Sequence, residues 1–410
     1  MASGGLQTRR LALEAGDTLC PERPDLPALP TPLFHAAAEL LTEIESSSRP
    51  ADAVTSGWLR TRKLDDQDRG MVLETVYALM RHRARLGWLL ARQGRADTVA
   101  NRLALWQAGE VDHADMPDAV RLETPEWAEG PLRRRFGNDF AAEMAATLLP
   151  PPLDLRVNPM RTTRAAVLRG LQGLGIAAEP TGLAPFGIRI AERLALTRLA
   201  GLKTGEIEIQ DEGSQLVAGL VEARPGDRVV DFCAGAGGKT LALAAAMQNR
   251  GKLVACDVNE ARLRRAAERL RRAGLHNVET RVLASETDKW VKRHKLGFDR
   301  VLIDAPCSGT GTWRRNPDAR WRAPELGLAG LVALQGRILA SAARLVKPGG
   351  RLVYATCSVL HDENEAQVVG FLAATPGFRL VPQAGRDFLS LTPLRHGTDG
   401  FFAAVLERAP

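Results

Sequence analysis

The chain has 410 residues, of which 45% are hydrophobic and 25% charged, the composition of a soluble globular protein with two or three domains. No stretch approaches 18 uncharged apolar residues, so no transmembrane helix is expected, and the N-terminus lacks the apolar core of a secretory signal. The net charge of +7 favours a polyanionic partner only modestly.

The five cysteines argue against a disulfide scaffold. Their number is odd and no CxxC pair occurs, so neither a disulfide framework nor a zinc ribbon is expected, and we predict no metal site. Four of them lie at or beside predicted strand ends, which is typical of reduced thiols in the cytoplasm. These are Cys233, Cys256, Cys307 and Cys357, and the fifth is Cys20.

The first third of the chain predicts a tail followed by helices. Residues 1–30 predict a flexible tail, with a proline-rich part from Pro21 to Pro32. Residues 31–149 repeat apolar residues at spacings of three and four without a strand signal. Arg81, Arg83 and Arg85 lie close together on or beside one of these helices. A solvated helix face is the favoured interpretation, and contact with phosphate is the alternative.

Residues 150–204 predict a small α/β module. Pro150, Pro151 and Pro152 end the helical region. LDLRVNPMRT then predicts a strand and a turn, TRAAVLRGLQGLGI an amphipathic helix, and FGIRIAE another strand. The module is too small to stand alone and is expected to pack on its neighbour.

Residues 205–410 repeat a strand, a glycine turn and a helix. The strands are DRVVDF, GKLVACD, VETRVL, FDRVLIDA and GGRLVYATC, and most of them are largely apolar. This alternation predicts a doubly wound, mostly parallel sheet. The final GFFAAVLER predicts a late strand, which could be an antiparallel edge.

The first of these strands ends in the glycine-rich turn DFCAGAGGKT. A phosphate-binding P-loop is excluded because Cys233 stands where the first glycine is required, and a GxGxxG pattern fails because its third glycine is missing. Asp257, at the end of the next strand, can accept both hydroxyls of a ribose. The pair fits a SAM or NAD site, although plain turn glycines and an N-cap aspartate are the structural alternative.

Two further strands end in cysteine-containing loops, DAPCSGTG and ATCS. Because the carboxyl ends of parallel strands share one edge, Cys307 and Cys357 are expected in one crevice. A thiolate that adds to C6 of a cytosine makes C5 nucleophilic toward a methyl donor, and Asp304 is placed to contact N3. The alternative is a small buried hydrophobe, which we prefer for Cys233 and Cys256.

These motifs resemble the RNA (cytosine-5-)-methyltransferase family of bacterial ribosomal RNA enzymes and their eukaryotic nucleolar relatives. They occur in family order over residues 150–410: EIQDEGSQLVA, DFCAGAGGKT, DVNEARLRR, DAPCSGTGTWRRNPD, ATCSVLHDENE and DGFFAAVLER. The resemblance implies a class I SAM methyltransferase domain at 205–410, Rossmann-like with a mixed seven-stranded sheet. It further implies an RRM-like module at 150–204 and, less specifically, a NusB-like domain at 31–149.

The resemblance also implies residue roles. Cys357 would be the nucleophile and Cys307 would aid product release, while Asp304 would contact the target cytosine. Lys239 would contact Asp304 or the SAM carboxylate. The residues that would hold SAM are Cys233, Ala234, Gly235, Ala236, Gly237, Gly238, Lys239, Asp257, Arg262, Ser285 and Asp304.

Two positions depart from the family pattern. Ala236 replaces a proline that the family loop commonly carries. Ser285 stands nearest to the place where an aspartate often holds adenine, and Glu286 is the alternative.

The expected partner is RNA, with small-subunit rRNA favoured over tRNA, and a monomer is expected. The target base must leave its stack, so unpaired RNA is favoured. Trp313 and Trp321 either stack on bases or belong to the core. The candidate RNA-binding residues are Arg156, Arg161, Arg314, Arg315, Arg320 and Arg322.

Three other functions fit the sequence less well. A methyltransferase of exocyclic amines needs an aromatic side chain where Cys307 stands. An RNA-binding assembly factor without catalysis would carry broken motifs, and these are intact. A small-molecule methyltransferase would not need the additional basic and helical regions.

Overall fold

The computed structural model describes residues 28–191, 194 and 196–410, so the predicted tail lies almost wholly outside the described residues, as does Cys20. The described chain divides into two compact units. The helical unit comprises residues up to Pro150 with 312–323 and 393–396. The catalytic unit comprises 151–311, 324–392 and 397–410.

The elements of both units follow in chain order. The α-helices are α1 (Thr31–Ser46), α2 (Ala51–Arg60), α3 (Asp66–Arg81), α4 (Arg83–Arg92), α5 (Val99–Ala108), α6 (Asp118–Arg121), α7 (Glu126–Phe136), α8 (Phe140–Ala146), α9 (Arg164–Gly173), α10 (Gly201–Thr204), α11 (Glu212–Leu220), α12 (Gly238–Ala246), α13 (Glu260–Ala273), α14 (Lys289–Arg293), α15 (Pro317–Arg320), α16 (Gly327–Ala343), α17 (Glu365–Ala374) and α18 (Pro393–His396). The β-strands are β1 (Leu153–Val157), β2 (Glu179–Pro180), β3 (Gly187–Ile190), β4 (Ile207–Ile209), β5 (Arg228–Asp231), β6 (Lys252–Asp257), β7 (Val278–Val282), β8 (Phe298–Asp304), β9 (Val346–Thr356), β10 (Phe378–Leu380), β11 (Leu389–Leu391) and β12 (Phe401–Arg408).

The helical unit is built on α1 to α8, and residues 31–149, all of them described, contain no strand. Its core joins apolar side chains of α1 to α5, including Leu40, Trp58, Leu86 and Trp106, all of which are buried. Among the described residues, no helix of either unit is both long and apolar enough to cross a membrane.

The catalytic unit begins with a four-stranded antiparallel sheet in the order β2-β3-β1-β4. Its apolar side chains pack with those of α9, Leu155 and Ile188 being fully buried. The strand β4 belongs to this sheet, although the sequence interpretation began the methyltransferase domain at Gly205. The physical reason is the pairing of Leu155 to Val157 with Ile207 to Ile209.

The second sheet has eight strands, seven of them in the order β10-β12-β9-β8-β5-β6-β7, with β11 paired to β12. The five strands β5 to β9 are parallel neighbours, as the alternation of strands and helices predicts, although β7 is largely exposed. Apolar clusters cover both faces. The sheet is mixed and Rossmann-like, as expected from the sequence.

One prediction for this sheet needs correction, because β12 is not an edge. It pairs antiparallel with β9 on one side and with β10 and β11 on the other. The residues from Phe401 to Leu406 are all buried. A strand that is apolar on both faces belongs in the interior of a sheet, and this rule would have placed β12 correctly.

Candidate active site

The site lies at the carboxyl edge of the large sheet, where four neighbouring parallel strands end. Asp231 ends β5, Asp257 ends β6, Asp304 ends β8 and Thr356 ends β9. The register places Asp304 beside Ala355 and Asp231 beside Leu302. The loops that follow these strands therefore meet in one crevice, as expected for a doubly wound sheet.

The glycine-rich loop after β5 takes a conformation that requires glycine. Gly235 and Gly237 have φ angles of +54° and +82°. A Cβ at Gly237 would lie 2.8 Å from the Cβ of Ala266, so the loop packs closely on α13. No atom lies within 4 Å of the Cβ position at Gly235, which leaves that backbone accessible to a ligand.

Asp257 is fixed by this loop. The backbone N–H of Gly235 donates to its Oδ2 at 2.8 Å, and that of Asn259 donates to its Oδ1 at 2.8 Å. Each carboxylate oxygen keeps further acceptor capacity, so the pair can receive the two hydroxyls of a ribose. Val258, which follows, is 65% exposed and offers an apolar face that sequence reasoning did not single out.

The helix α12 begins directly after this loop, with Gly237 as an N-cap residue that forms no side-chain cap. Its first-turn N–H groups, together with the positive end of the helix dipole, suit a carboxylate. A helix N-terminus for the methionine carboxylate and Asp257 for the ribose form a donor and acceptor set that fits SAM.

Lys239 and Asp304 form an ion pair at the centre of the crevice. Lys239 Nζ lies 2.7 Å from Asp304 Oδ2, and the two side chains are 9% and 32% exposed. Burial would lower the pKa of Lys239, but the charge of Asp304 and its hydrogen bond outweigh burial and raise the pKa. The lysine therefore stays charged, and Nζ also lies 5.3 Å from the ring centroid of Phe401.

Asp231 lies beneath this pair and is fully buried. Its Oδ2 accepts a hydrogen bond from Thr240 Oγ1 at 2.7 Å. Burial raises the pKa of Asp231 to about 7, against the lowering effect of that hydrogen bond.

The two predicted catalytic cysteines are in contact. Cys307 Sγ and Cys357 Sγ are 3.4 Å apart, and both residues are partly exposed. The hydrogen bond with Cys357, followed by burial, raises the pKa of Cys307 well above its ordinary value. Cys307 therefore retains a proton at neutral pH and can donate it toward the sulfur of Cys357.

Of the other two described cysteines, Cys256 lies in β6 and Cys233 in the loop after β5. Cys256 is fully buried, and burial raises its pKa. Burial likewise raises the pKa of Cys233 well above its ordinary value. Neither thiol ionises readily, which agrees with structural roles.

Two glycines that sequence reasoning did not single out bring the loops together. The N–H of Gly311 donates to the carbonyl oxygen of Cys357 at 2.9 Å, and the N–H of Gly400 donates to the carbonyl oxygen of Gly311 at 2.7 Å. A Cβ at Gly311 would lie 2.2 Å from the oxygen of Gly400. Both glycines fell within the motifs DAPCSGTG and DGFFAAVLER, but neither motif reveals the contact.

Family models and relatives match this chain. The model for the 16S rRNA methyltransferase RsmB/F matches residues 218–407, and that for the ferredoxin-like domain of RsmF/B-like methyltransferases matches residues 124–197. A ribosomal RNA small subunit methyltransferase B of Xylella fastidiosa is 32% identical over 90% of this chain and 99% of its own. Another, of Pseudomonas syringae pv. tomato, is 38% identical over 72% of this chain and 68% of its own. The chain belongs to the RsmB/F methyltransferase family.

Solved structures share its fold. The crystal structure of PH0851 covers 94% of this chain and all of its own, with a TM-score of 0.82 and 24% identity. A methyltransferase homolog from Pyrococcus horikoshii covers 71% of this chain and 97% of its own, with a TM-score of 0.62 and 28% identity. Membership of the RsmB/F family makes the protein a SAM-dependent methyltransferase, and these structures show that it shares their class I fold.

Within this RsmB/F-family protein, two arginines predicted to bind RNA are tied into the catalytic unit. Arg156 is buried and donates to Gln210 Oε1 at 2.6 Å and to the carbonyl of Gly238 at 2.8 Å. Burial lowers its pKa to about 10. Arg161 is exposed and donates to the carbonyls of Arg272 and Ala273 at 3.2 Å, where it caps α13.

The remaining four arginine candidates lie in the segment 312–323 of the helical unit. Arg314 and Arg320 are buried, as is Trp313, which is 1% exposed and stacks under the Arg320 guanidinium. Arg315 and Arg322 are partly exposed. We therefore keep Arg315 and Arg322 as RNA candidates and assign Arg156, Arg314 and Arg320 structural positions.

The arginine cluster on the helices also differs from its favoured interpretation as a solvated face. Arg81 and Arg85 are 5% and 2% exposed. Arg81 donates to the carbonyl of Arg314 at 2.8 Å, and Arg85 donates to that of Arg121. These carbonyl acceptors, which a charge pattern cannot reveal, account for the burial.

The residues expected near adenine form local contacts. Ser285 Oγ lies 3.1 Å from Thr287 Oγ1. Glu286 accepts a hydrogen bond from Arg337 Nε at 2.8 Å, which lowers the pKa of the glutamate. Arg262 is exposed on the first turn of α13. Ser285 and Glu286 are therefore both engaged by neighbouring side chains, and the adenine contact stays a prediction.

Proposed function

We propose that this RsmB/F-family enzyme methylates C5 of a cytosine in small-subunit ribosomal RNA through a covalent adduct between Cys357 and C6. The observation that carries the proposal is the 3.4 Å contact between Cys307 Sγ and Cys357 Sγ at the ends of adjacent parallel strands, in the crevice of the Lys239–Asp304 pair. The relatives named above support ribosomal RNA as the substrate class.

Cys357 supplies the nucleophile. C5 of cytosine is poorly nucleophilic, but addition of the Cys357 thiolate to C6 pushes electron density onto C5. SAM, when bound, supplies an electrophilic methyl group to that carbon. Asp304 contacts the base on its N3 side and positions the ring, and the Lys239 ammonium, 2.7 Å from Asp304, offsets the negative charge that develops there.

Cys307 assists release of the product. After methylation, C5 loses its proton to solvent, the pair of electrons forms the C5–C6 double bond, and the C6–sulfur bond breaks. The Cys307 thiol, whose pKa is raised, protonates the departing sulfur of Cys357 across the 3.4 Å contact. Return of this proton to Cys307 leaves the thiolate on Cys357 for the next turnover.

The residues of the glycine loop would hold SAM. The first-turn N–H groups of α12 would bind its carboxylate and Asp257 its ribose, while Ser285 and the exposed Val258 would contact its adenine. Arg315 and Arg322 would contact RNA phosphates.

The substrate is tested with tritiated SAM and four candidate substrates. These are transcribed small-subunit rRNA, purified small ribosomal subunits, total tRNA and large-subunit rRNA. Labelled RNA is mapped by bisulfite sequencing. The proposal expects 5-methylcytosine at one position of small-subunit rRNA. Label in tRNA alone would move the substrate to tRNA, and label on adenine or guanine would contradict C5 chemistry. If no RNA is labelled although SAM binds, a non-catalytic assembly role replaces the proposed activity.

A further inference from the structure

A buried carboxylate lies between the two cysteine loops. Glu363 is fully buried in the short 3-10 turn that follows β9. Its Oε1 accepts hydrogen bonds from Ser308 N at 2.8 Å and from Gln335 Nε2 at 2.9 Å. Its Oε2 accepts hydrogen bonds from the hydroxyls of Ser308 and Ser358.

The partners of this carboxylate are the residues next to the cysteines. Ser308 follows Cys307, and Ser358 follows Cys357, so one side chain holds the immediate neighbour of each sulfur. The hydroxyl oxygens of Ser308 and Ser358 also lie 3.2 Å apart, and Thr310 Oγ1 lies 3.1 Å from Ser358 Oγ. These contacts connect loops that are 50 residues apart in sequence.

The burial of Glu363 calls for a reason beyond packing. A carboxylate removed from water lowers the stability of a fold unless hydrogen bonds satisfy its oxygens. Here the four donors are a backbone amide, a side-chain amide and two hydroxyls, and none of them carries a charge. An apolar residue would fill the same space without this desolvation, but it could not hold two serine loops in register.

We propose that Glu363 is a positioning residue that clips the Cys307 loop to the Cys357 loop and thereby fixes the contact between the two sulfurs. It acts through Ser308 and Ser358 and does not touch the substrate. The inference rests on the proposed function for its consequence in catalysis, but the geometry of the clip can be tested without RNA. The charge of Glu363 also contributes to the raised pKa of Cys307, after the effects of Cys357 and burial.

The first experiment measures the distance between the sulfurs by cross-linking. An azodicarboxamide oxidant takes two electrons and two protons from the Cys307 and Cys357 thiols and leaves a disulfide, which peptide mass spectrometry identifies. Wild-type protein should cross-link rapidly, and Glu363→Gln should slow the reaction about tenfold or more, because proximity controls such rates steeply. Cys357→Ser should abolish this disulfide.

Tyr354→Phe is the matched control. Tyr354 Oη donates to the backbone carbonyl of Glu363 at 2.7 Å, so the variant removes a buried hydrogen bond from the same residue without touching the carboxylate. Its cross-linking rate should stay within about twofold of wild type. If Glu363→Gln does not fold, Ser308→Ala with Ser358→Ala removes the two hydroxyls and should slow cross-linking in the same way.

The second experiment separates positioning from support of the whole domain. Glu363→Gln should lower the single-turnover rate of methyl transfer while its affinity for SAM, measured by calorimetry, stays near wild type, because none of the donors to Glu363 belongs to the SAM loop. Combining Glu363→Gln with the serine substitutions should slow the rate no further, since all three act through one clip.

The outcomes distinguish failure of the clip from failure of the proposed function. If Glu363→Gln cross-links at the same rate as wild-type protein, the clip is overturned, whatever the result of the RNA methylation assay. Loss of SAM affinity in parallel with cross-linking also overturns it, because the glutamate would then support the domain in general. If cross-linking is slowed but wild-type protein makes no 5-methylcytosine, the clip stands and the proposed function fails.

Discussion

Four ionisable side chains at the carboxyl edge of the sheet have environments that differ at the scale of single residues. Asp257 accepts hydrogen bonds from backbone N–H groups, and Asp304 forms an ion pair with a lysine. Asp231 is buried and accepts a hydrogen bond from a threonine hydroxyl. Cys307 is held as a thiol against Cys357. In the proposed function, identical carboxyl groups would therefore serve a ribose, a reacting base and the interior of the fold.

Asp304→Asn tests the placement of Asp304 against the target base. The substitution keeps the shape but removes the charge that partners Lys239, so the methyl-transfer rate should fall by about 10² or more. SAM affinity should change only a few-fold. The rate is measured in single turnovers, and Asp299→Asn, which removes a carboxylate from the opposite end of β8, is the control. Equal losses in both variants would contradict the assignment.

Asp231→Asn tests the raised pKa of Asp231. The ordinary pKa of the group is 3.8 and its folded-state pKa is about 7, so the folded protein binds the proton more tightly. The resulting stabilisation is full below pH 3.8 and is lost as pH rises through about 7. The variant stays neutral, so its free energy of unfolding relative to wild type should rise across that window in urea titrations. A difference independent of pH would contradict the raised pKa.

At the scale of elements, the strands and their ends follow from sequence better than the contacts between loops. The alternation of strand and helix patterns predicted β5 to β9, and the shared carboxyl edge predicted that Cys307 and Cys357 would meet. The role of Glu363 could not be predicted, because the motif HDENE gives no sign of which carboxylate is buried. Likewise, nothing in the sequence indicates that Gly311 and Gly400 touch.

Gly311→Ala tests the close approach of the two glycine loops. A Cβ there would lie 2.2 Å from the oxygen of Gly400 and 2.8 Å from that of Cys357, and backbone atoms cannot move aside easily. We expect a loss of about 1–3 kcal/mol in the free energy of unfolding and a lower methyl-transfer rate. Gly219→Ala, in α11 with no atom within 4 Å, should be neutral or slightly stabilising.

At the scale of the whole molecule, charge is the weakest guide to function. The net charge and the arginine-rich segment suggested an RNA surface, yet Arg156, Arg314 and Arg320 are buried. The sequence shows where cationic residues lie along the chain, but it does not show whether buried carbonyl oxygens accept their hydrogen bonds. The domain boundaries at 30, 149 and 204 stay predictions. The contacts of the chain do not follow them strictly, because β4 belongs to the small sheet and residues 312–323 belong to the helical unit.

Arg320→Met tests the internal role of this segment. Arg320 is 1% exposed and donates to the carbonyl of Glu123 at 3.2 Å and to Thr147. Its removal leaves buried acceptors unpaired and should reduce the free energy of unfolding by about 2–4 kcal/mol. Arg60→Met, on an exposed position of the helical unit, should change it by less than about 0.5 kcal/mol. The folded variant should keep the salt dependence of RNA binding, and a shallower slope would restore Arg320 as a phosphate contact.

The central claim is a covalent adduct on Cys357, and one measurement tests it directly. Wild type, Cys357→Ala, Cys307→Ala and the double variant are incubated with SAM and the RNA that wild type methylates, then denatured and separated by electrophoresis. We predict that Cys307→Ala accumulates a denaturation-resistant protein–RNA adduct, that the double variant forms none, and that Cys357→Ala loses more than about 10³-fold in methyl transfer. Full activity in Cys357→Ala, or an adduct that persists without Cys357, would contradict the covalent mechanism.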